Sequence, residues 1–137
     1  MKALIGAFAA SIAFCAQAQQ TVFMPIVIEV SGAGAVSGTN FRDGALMAID
    51  EVNAKGGILG RRINSPVSDT QSNPGISRAQ VQKAIDGNPY VILGPVFSGS
   101  VKVNMLLAQA AEIPQFTGAE AAEITQFGGG PTALWSK

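Results

Sequence analysis

Apolar residues along the chain follow two alternating patterns, which predict strands and helices in turn. The segment 22–30 (VFMPIVIEV) is apolar and rich in β-branched residues, as expected of a strand buried on both faces. A loop of small residues is predicted at 31–38. An amphipathic helix follows, because apolar residues recur at helical spacing: Phe41, Ala45, Ala48, Ile49 and Val52. Gly56 and Gly57 are predicted to end this helix.

Three more strands with intervening helices are predicted further along the chain. A strand at 62–68 contains Pro66, which favours an edge position or a bulge. Asn73 followed by Pro74 is a typical helix start, and this helix is predicted to continue to Asp86. The remaining predicted elements are a strand at 90–93, a helix capped by Ser98 that ends near Ala111, a strand at 115–117 and a short helix at 120–126.

The alternation of strands and helices predicts an α/β fold built on a parallel sheet with right-handed crossovers. In such sheets ligands bind beyond the carboxyl ends of the strands. The loops that follow Val30, Ser68, Leu93 and Thr117 are therefore the candidate ligand loops.

The N-terminal segment 1–18 is predicted to be a secretory signal peptide. A short uncharged apolar run, 3–15, precedes Ala16-Gln17-Ala18, which supplies the small side chains of a cleavage site. The run is too short to cross a bilayer as a helix. Cys15 raises the alternative of a lipoprotein, but the bulky Phe14 precedes it where lipidation signals need a small residue. We expect an exported protein that begins at residue 19 and has no stable membrane insertion.

The composition excludes several classes of function. Of 137 residues, 47% are hydrophobic and 13% charged, with nine basic against nine acidic side chains, so no electrostatic footprint for nucleic acid or an anionic membrane is present. The chain has no histidine and one cysteine, which excludes Ser-His-Asp and Cys-His sites and the usual zinc sets. With no nucleophile and base pair in view, we predict neither an enzyme nor a bound cofactor or metal.

The glycine-rich loop admits two local interpretations. Gly32-x-Gly34 followed by Gly38, directly after an apolar strand, is close to the glycine pattern of dinucleotide-binding folds. The spacing differs by one residue, however, and Asp50 and Glu51 lie within the predicted helix instead of at the end of the second strand. The other interpretation is that the glycines permit a tight turn.

A third interpretation uses most of the chain. The motifs are Ser31-Gly32, Gly38, Gly44-Ala45, Ala48, the segment 53–63 (NAKGGILGRRI), Asp69, Asn73-Pro74, Gly94-Pro95 with Ser98, and Ile113-Pro114. In this order they resemble the substrate-binding proteins of branched-chain amino acid ABC transporters, and the match covers residues 22–125. The resemblance implies a type I periplasmic binding protein: two Rossmann-like lobes joined by a hinge, which close on one small solute and present it to a permease in the inner membrane.

Family members are much longer than this chain. The resemblance therefore implies that residues 19–126 are an incomplete N-terminal lobe, with a Rossmann-like parallel sheet and flanking helices. Residues 127–137 (FGGGPTALWSK) depart from the family pattern, and we interpret them as an anomalous tail from a premature end or an altered reading frame.

One candidate contact for a solute is the start of the helix at Ser98. A hydroxyl there, together with the amides of Ser98, Gly99 and Ser100 at the positive end of the helix dipole, suits a carboxylate. The alternative is that Ser98 is an ordinary N-cap of its own helix. Phe97, on the same loop, either forms a wall of the pocket or packs in the core.

The resemblance places a second contact in the loop after the fourth strand, through the backbone at Ala119 and the side chain at position 121. Some relatives have threonine there, and Ala121 has no hydroxyl. Either Thr117 or Glu120 replaces it, or the solute is a related molecule such as a small amide. Glu120 would pair with an ammonium group or remain solvated. For Asp69, we favour capping of the Asn73 turn over contact with a solute.

We therefore expect the solute-binding component of an uptake system for branched-chain or related amino acids, located in the periplasm. A ligand-binding sensor or regulator domain of the same fold is the alternative, because fold alone does not determine function. A hydrolase is disfavoured by the absence of histidine.

Overall fold

The computed structural model describes residues 21–126, so the predicted signal peptide at 1–18 and the predicted tail at 127–137 lie outside the described residues. The elements, in chain order, are β1 (Val22–Phe23), β2 (Ile26–Ile28), α1 (Ala35–Ala54), β3 (Ile63–Asn64), β4 (Val67–Asp69), α2 (Pro74–Asp86), β5 (Ile92–Leu93), α3 (Ser98–Ala110), β6 (Gln115–Phe116) and α4 (Ala122–Gln126). Strands and helices alternate as predicted. Within residues 21–126, no helix combines the length and the apolar character needed to cross a bilayer.

All strand pairs are parallel, which confirms the predicted α/β class. Four strands form a sheet in the order β4-β2-β5-β6, and β1 pairs with β3 in a separate two-stranded sheet. The central strand β2 pairs with β4 on one side and with β5 on the other. After β2 the chain first adds β4 on one side of the sheet and later adds β5 and β6 on the other. The gap between β2 and β5 is therefore the topological switch point, where such sheets bind ligands.

The two predicted strands at 22–30 and 62–68 are each divided in two. Both contain a proline, Pro25 in the first and Pro66 in the second. Because proline has no N–H, it interrupts the ladder, so that β1 pairs with β3 before the breaks and β2 pairs with β4 after them. Among the described strands, β4 lies at the edge of its sheet, as Pro66 predicted.

Helix α1 begins at Ala35, inside the segment predicted as a loop at 31–38. Small residues favour turns, but alanine is also the best helix former, and here helix formation prevails. Within the predicted apolar stripe, Ile49 is buried, Phe41 and Ala45 are half-buried, and the other two members are exposed. The helix ends before the two glycines at 56 and 57, both of which have positive φ, as predicted.

The starts of α2 and α3 differ in how well the sequence predicted them. Asn73 caps α2, because its side chain accepts the amides of Gly75 and Ile76 at 2.8 and 3.1 Å. The predicted cap of α3 is wrong by one residue. Phe97 occupies the N-cap position with φ −74° and ψ 120° and no side-chain hydrogen bond, and Ser98 is the first helical residue.

Two apolar clusters lie on opposite faces of the sheet. One joins both sheets to α1 and consists of Val22, Ile26, Ile28, Ile49 and Ile63. The other lies beneath α2 and α3 and consists of Val27, Val81, Ala84, Ile92 and Ile113. Successive side chains of β2 point to opposite faces, so this strand is buried on both, as its sequence predicted.

Candidate functional site

Four loops meet at the carboxyl edge of the four-stranded sheet, because its strands are parallel. The loops after β2 and β4, residues 29–34 and 70–73, are hydrogen-bonded to each other, and we call them the first loop pair. The loops after β5 and β6, residues 94–97 and 117–121, are likewise bonded, and together with the first turn of α3, residues 98–100, we call them the second loop pair. All the residues predicted to contact a solute lie in the second pair.

Asp69 holds the first loop pair together. One carboxylate oxygen accepts the amides of Val30, Ser31 and Gln71 at 2.8–3.1 Å, and the other accepts the Ser31 hydroxyl at 2.6 Å. Burial raises the pKa of Asp69, but the Ser31 hydroxyl and these amides outweigh it and hold the pKa below its ordinary value. Asp69 therefore caps the turn that leads to Asn73, as predicted, and also binds the loop after β2, which the sequence did not predict.

Ser72 adds two further hydrogen bonds between the same loops. Its hydroxyl donates to the carbonyl of Ser31 at 2.8 Å and accepts the amide of Gly34 at 2.9 Å. A β-carbon at Gly32 would lie 2.8 Å from the carbonyl oxygen of Gln71. The glycines thus allow the two loops to approach closely, and the amide of Gly34 is already bonded to Ser72. The arrangement therefore favours the tight-turn interpretation over a dinucleotide site.

The second loop pair brings four of the predicted residues together. The Thr117 hydroxyl donates to the carbonyl of Pro95 and accepts the amide of Ala119 at 3.2 Å. The amide of Ala121 donates to the Ser98 hydroxyl oxygen at 3.3 Å. These bonds hold Thr117 and Ala119 against the loop after β5, and Ala121 against Ser98 at the start of α3.

Ser98 retains hydrogen-bonding capacity in this group. A serine hydroxyl has one proton to donate and two lone pairs to accept, and the bond from Ala121 uses only an accepting position. The ladder of α3 begins with the amide of Val101 bonded to the carbonyl of Phe97 at 3.0 Å. The preceding amides, those of Ser98, Gly99 and Ser100, have no acceptor within the helix and lie at its positive end.

The other predicted residues have different surroundings. The ring of Phe97 is half-buried and lies against Gly34, so it packs inward and also borders the site. The side chain of Ser100 is buried, and its hydroxyl has no hydrogen-bond partner among the described residues. Glu120 is exposed.

Helix α4 is joined to α3 by an exposed ion pair. The ammonium of Lys102 lies 3.5 Å from the carboxylate of Glu123. A hydrogen bond from the backbone of Glu123 itself, followed by the charge of Lys102, lowers the pKa of this carboxyl.

Glu29 is a residue of this region that was not predicted from the sequence. It directly follows β2, is fully buried, and accepts the amide of Val96 at 3.0 Å. The sequence feature that could have pointed to Glu29 is its position as the single charged residue of 22–30, a segment predicted to be buried on both faces. A buried carboxylate is costly, so its presence in that segment indicates a specific role.

The fold is a parallel α/β sheet with helices on its faces and two bonded loop pairs at its carboxyl edge. Residues 21–135 match the model of the periplasmic binding protein family, and the chain belongs to this family.

Relatives with recorded names support this assignment. The Leu/Ile/Val-binding protein BraC3 of Rhizobium johnstonii is 30% identical over 110 residues, which cover 80% of this chain and 30% of that protein. The Leu/Ile/Val-binding protein homolog 1 of Brucella abortus is 44% identical over 88 residues, which cover 63% of this chain and 24% of that protein. The chain therefore spans less than a third of the length of either relative.

Solved structures give the same result. The branched-chain amino acid transporter substrate-binding protein LivJ of Streptococcus pneumoniae, in complex with isoleucine, superposes with a TM-score of 0.76 at 27% identity, over 79% of this chain and 32% of that one. The leucine-binding protein LivK of Thermotoga maritima has the same fold, with a TM-score of 0.70 at 21% identity over 77% of this chain and 30% of that one.

Proposed function

We propose that the chain belongs to the extracytoplasmic solute-binding component of an ABC uptake system for branched-chain or related amino acids, with an inner-membrane permease as its partner. Signal peptide 1–18 would direct its export to the periplasm. The names of the Rhizobium and Brucella relatives support this class of solute. Their sequences are matched only in part, so the site itself has to support the role.

The observation that carries the proposal is the unused hydrogen-bonding capacity at the start of α3. The Ser98 hydroxyl accepts from Ala121 and keeps its proton, and the amides of Ser98, Gly99 and Ser100 have no acceptor in the helix. A carboxylate accepts several such bonds and is favoured by the helix dipole. The carboxylate of an amino acid is therefore the group we assign to this position.

The ammonium group of the solute would lie near the loop after β6. Ala121 provides no hydroxyl, and the Thr117 hydroxyl is already bonded to Pro95 and Ala119. The Thr117 hydroxyl keeps one accepting position, but of the two replacements that the sequence suggested we favour Glu120, because it is exposed and negatively charged. A small amide, which has no ammonium group, is the second candidate because the hydroxyl expected at position 121 is missing.

The test is an NMR titration of the chain with L-leucine, L-leucinamide and propionamide. We expect L-leucine to shift the amide resonances of residues 98–100 and 119–121, with weak affinity, since the described residues contact only one side of a solute. L-leucinamide keeps the side chain and ammonium but lacks the carboxylate, so it should shift them much less. Equal responses to both, or responses confined to other residues, would contradict the proposal. A stronger response to propionamide would favour the small amide.

A further inference from the structure

Glu29 occupies the switch point of the sheet. It directly follows β2, while Val96 lies in the loop after β5, on the far side of the gap between these two strands. The Val96 amide donates to a carboxylate oxygen of Glu29 at 3.0 Å. The bond joins residues 67 positions apart in the chain and connects the first loop pair with the second.

Two glycines allow the start of α1 and the ring of Phe97 to pack closely against Glu29. A β-carbon at Gly34 would lie 2.7 Å from the ring of Phe97 and 3.1 Å from Cγ of Glu29, and one at Gly38 would lie 1.9 Å from the Glu29 carbonyl oxygen. The start of α1 and the Phe97 ring thus close over Glu29, which has no accessible surface. An apolar side chain would fill this space without the cost of desolvating a carboxylate.

Only one contact of the Glu29 side chain is polar in the described part of the chain. Its second carboxylate oxygen is buried and has no hydrogen-bond partner among residues 21–126. A carboxylate retained for the stability of a polar network would have both oxygens bonded. The bond to Val96 is therefore the feature that distinguishes Glu29 from an apolar residue at this position.

We propose that Glu29 is a positioning residue, which holds the segment Val96–Ser98 at the switch point and so orients the start of α3 toward the solute. Val96 precedes the N-cap residue Phe97, and Ser98 begins the helix. A shift of the Val96 amide would move the amides of residues 98–100 relative to the Ala119–Ala121 loop. This inference rests on the proposed function, because the orientation of α3 affects binding only if a solute binds there. The orientation itself is measurable without a solute.

The test compares Glu29→Gln, which keeps an acceptor oxygen at the same reach, with Glu29→Leu, which has none. We expect the Val96 amide of Glu29→Leu to exchange with solvent about ten- to a hundredfold faster, while the amides of Ile28 and Ile92 keep their protection. The resonances of residues 98–100 should shift, and their response to L-leucine should be lost. Glu29→Gln should behave like the parent chain in each measurement.

Two further variants keep the test decisive. Ser77→Ala removes the buried hydroxyl to which Asn104 donates at 2.8 Å between α2 and α3, and it should lower the melting temperature without affecting Val96 exchange. If Glu29→Leu does not fold, Glu29→Asp keeps a carboxyl group but draws the acceptor away from Val96, and it should show the same faster exchange.

The possible results separate the two proposals. Unchanged Val96 exchange in both Glu29→Leu and Glu29→Asp would overturn the positioning role, as would faster exchange with an unaltered response of residues 98–100 to L-leucine. Loss of that response in Glu29→Gln with normal Val96 exchange would overturn it too. If the parent chain shows no response to L-leucine, the proposed function fails, while Val96 exchange and the resonances of residues 98–100 still decide whether Glu29 orients the helix.

Discussion

The two loop pairs at the carboxyl edge of the sheet use their polar groups in opposite ways. In the first pair, Asp69 accepts four hydrogen bonds and the Ser72 hydroxyl both donates and accepts, all within the loops. In the second pair, Ser98 accepts one bond and keeps its proton, and three amides at the start of α3 have no acceptor in the helix. The first pair therefore uses most of its polar groups to bond its own loops, although the hydroxyl of Thr70 and one carboxylate oxygen of Glu29 are buried without a partner among the described residues. The second pair retains the capacity to bind at the start of α3.

The largest effect should come from Gly38→Ala, which tests the close packing behind the first loop pair. The added carbon would lie 1.9 Å from the carbonyl oxygen of Glu29, so the backbone must move. We expect a loss of more than about 3 kcal/mol in the free energy of unfolding, measured by urea denaturation.

Two alanine substitutions serve as controls for Gly38→Ala. Gly44 lies on the same helix with no atom within 4 Å of an added β-carbon, so Gly44→Ala should stabilise the chain by about 0.5–1 kcal/mol. Gly99, in the second loop pair, would place its β-carbon 3.9 Å from Pro74, and its alanine variant should fold normally. A comparable loss for all three would show that the first loop pair is not specially constrained.

Asp69→Ala removes the bonds that join the two loops of the first pair. Hydrogen bonds to a charged group contribute about 1.5–3 kcal/mol, and water replaces part of this at the exposed Ser31, so we expect a loss of about 2 kcal/mol in the free energy of unfolding. Asp43→Ala, at an exposed aspartate whose ion pair is with the adjacent Arg42, should change it little. Equal losses would mean that Asp69 does not link the loops.

Some features of the fold and of the two loop pairs are predictable from the sequence, and others are not. The Asn73-Pro74 start of α2 and the glycine end of α1 depend on neighbouring residues, and both were predicted. The breaks at Pro25 and Pro66 become visible only when the two strands are paired, because the matched positions of the prolines decide where the ladder stops.

The parts that were missed depend on contacts between distant residues. Ser98 was expected to cap α3, yet the path of the chain before it is held by Glu29, 67 residues away from Val96. The bond from Ser31 to Asp69 spans 38 residues. Local periodicity carries no information on such pairs, although the lone glutamate in a buried strand was a sign of one of them.

Ser98→Ala tests the binding capacity of the second loop pair. A hydroxyl that donates to a charged carboxylate contributes about 1.5–3 kcal/mol, so L-leucine should bind roughly ten- to over a hundredfold more weakly. Ser98 is not the N-cap, and the half-buried Ala121 amide loses only one acceptor, so the free energy of unfolding should fall by less than about 1 kcal/mol.

The controls for Ser98→Ala separate binding from folding. Ser98→Thr keeps the hydroxyl and should retain most of the affinity, and Ser37→Ala, an exposed serine of α1, should change neither property. A Ser98→Ala variant with unchanged affinity would refute the assignment of this site, even though the fold is that of the family.

A smaller effect is expected in the pH dependence of the free energy of unfolding, which reports on Asp69 in the first loop pair. The folded pKa of Asp69 lies below its ordinary value of 3.8, so the carboxylate contributes stability above about pH 3.8, and this contribution is lost as the pH falls through the folded pKa. We expect the difference in unfolding free energy between the parent chain and Asp69→Asn to be constant near neutral pH and to shrink below pH 3.8. A difference that persists unchanged in acid would exclude the carboxylate as its source.

The smallest effect is expected where α4 meets the second loop pair. Lys102 and Glu123 lie 3.5 Å apart, but their side chains are 44% and 66% exposed, and exposed pairs are screened by water and salt. Lys102→Met should therefore leave the melting temperature unchanged at low and high salt alike, in contrast to the loss expected for Asp69→Ala. A clear decrease in melting temperature that disappears in high salt would show that this ion pair supports its loops, as Asp69 does in the first loop pair. The two loop pairs would then differ only in their hydrogen bonding.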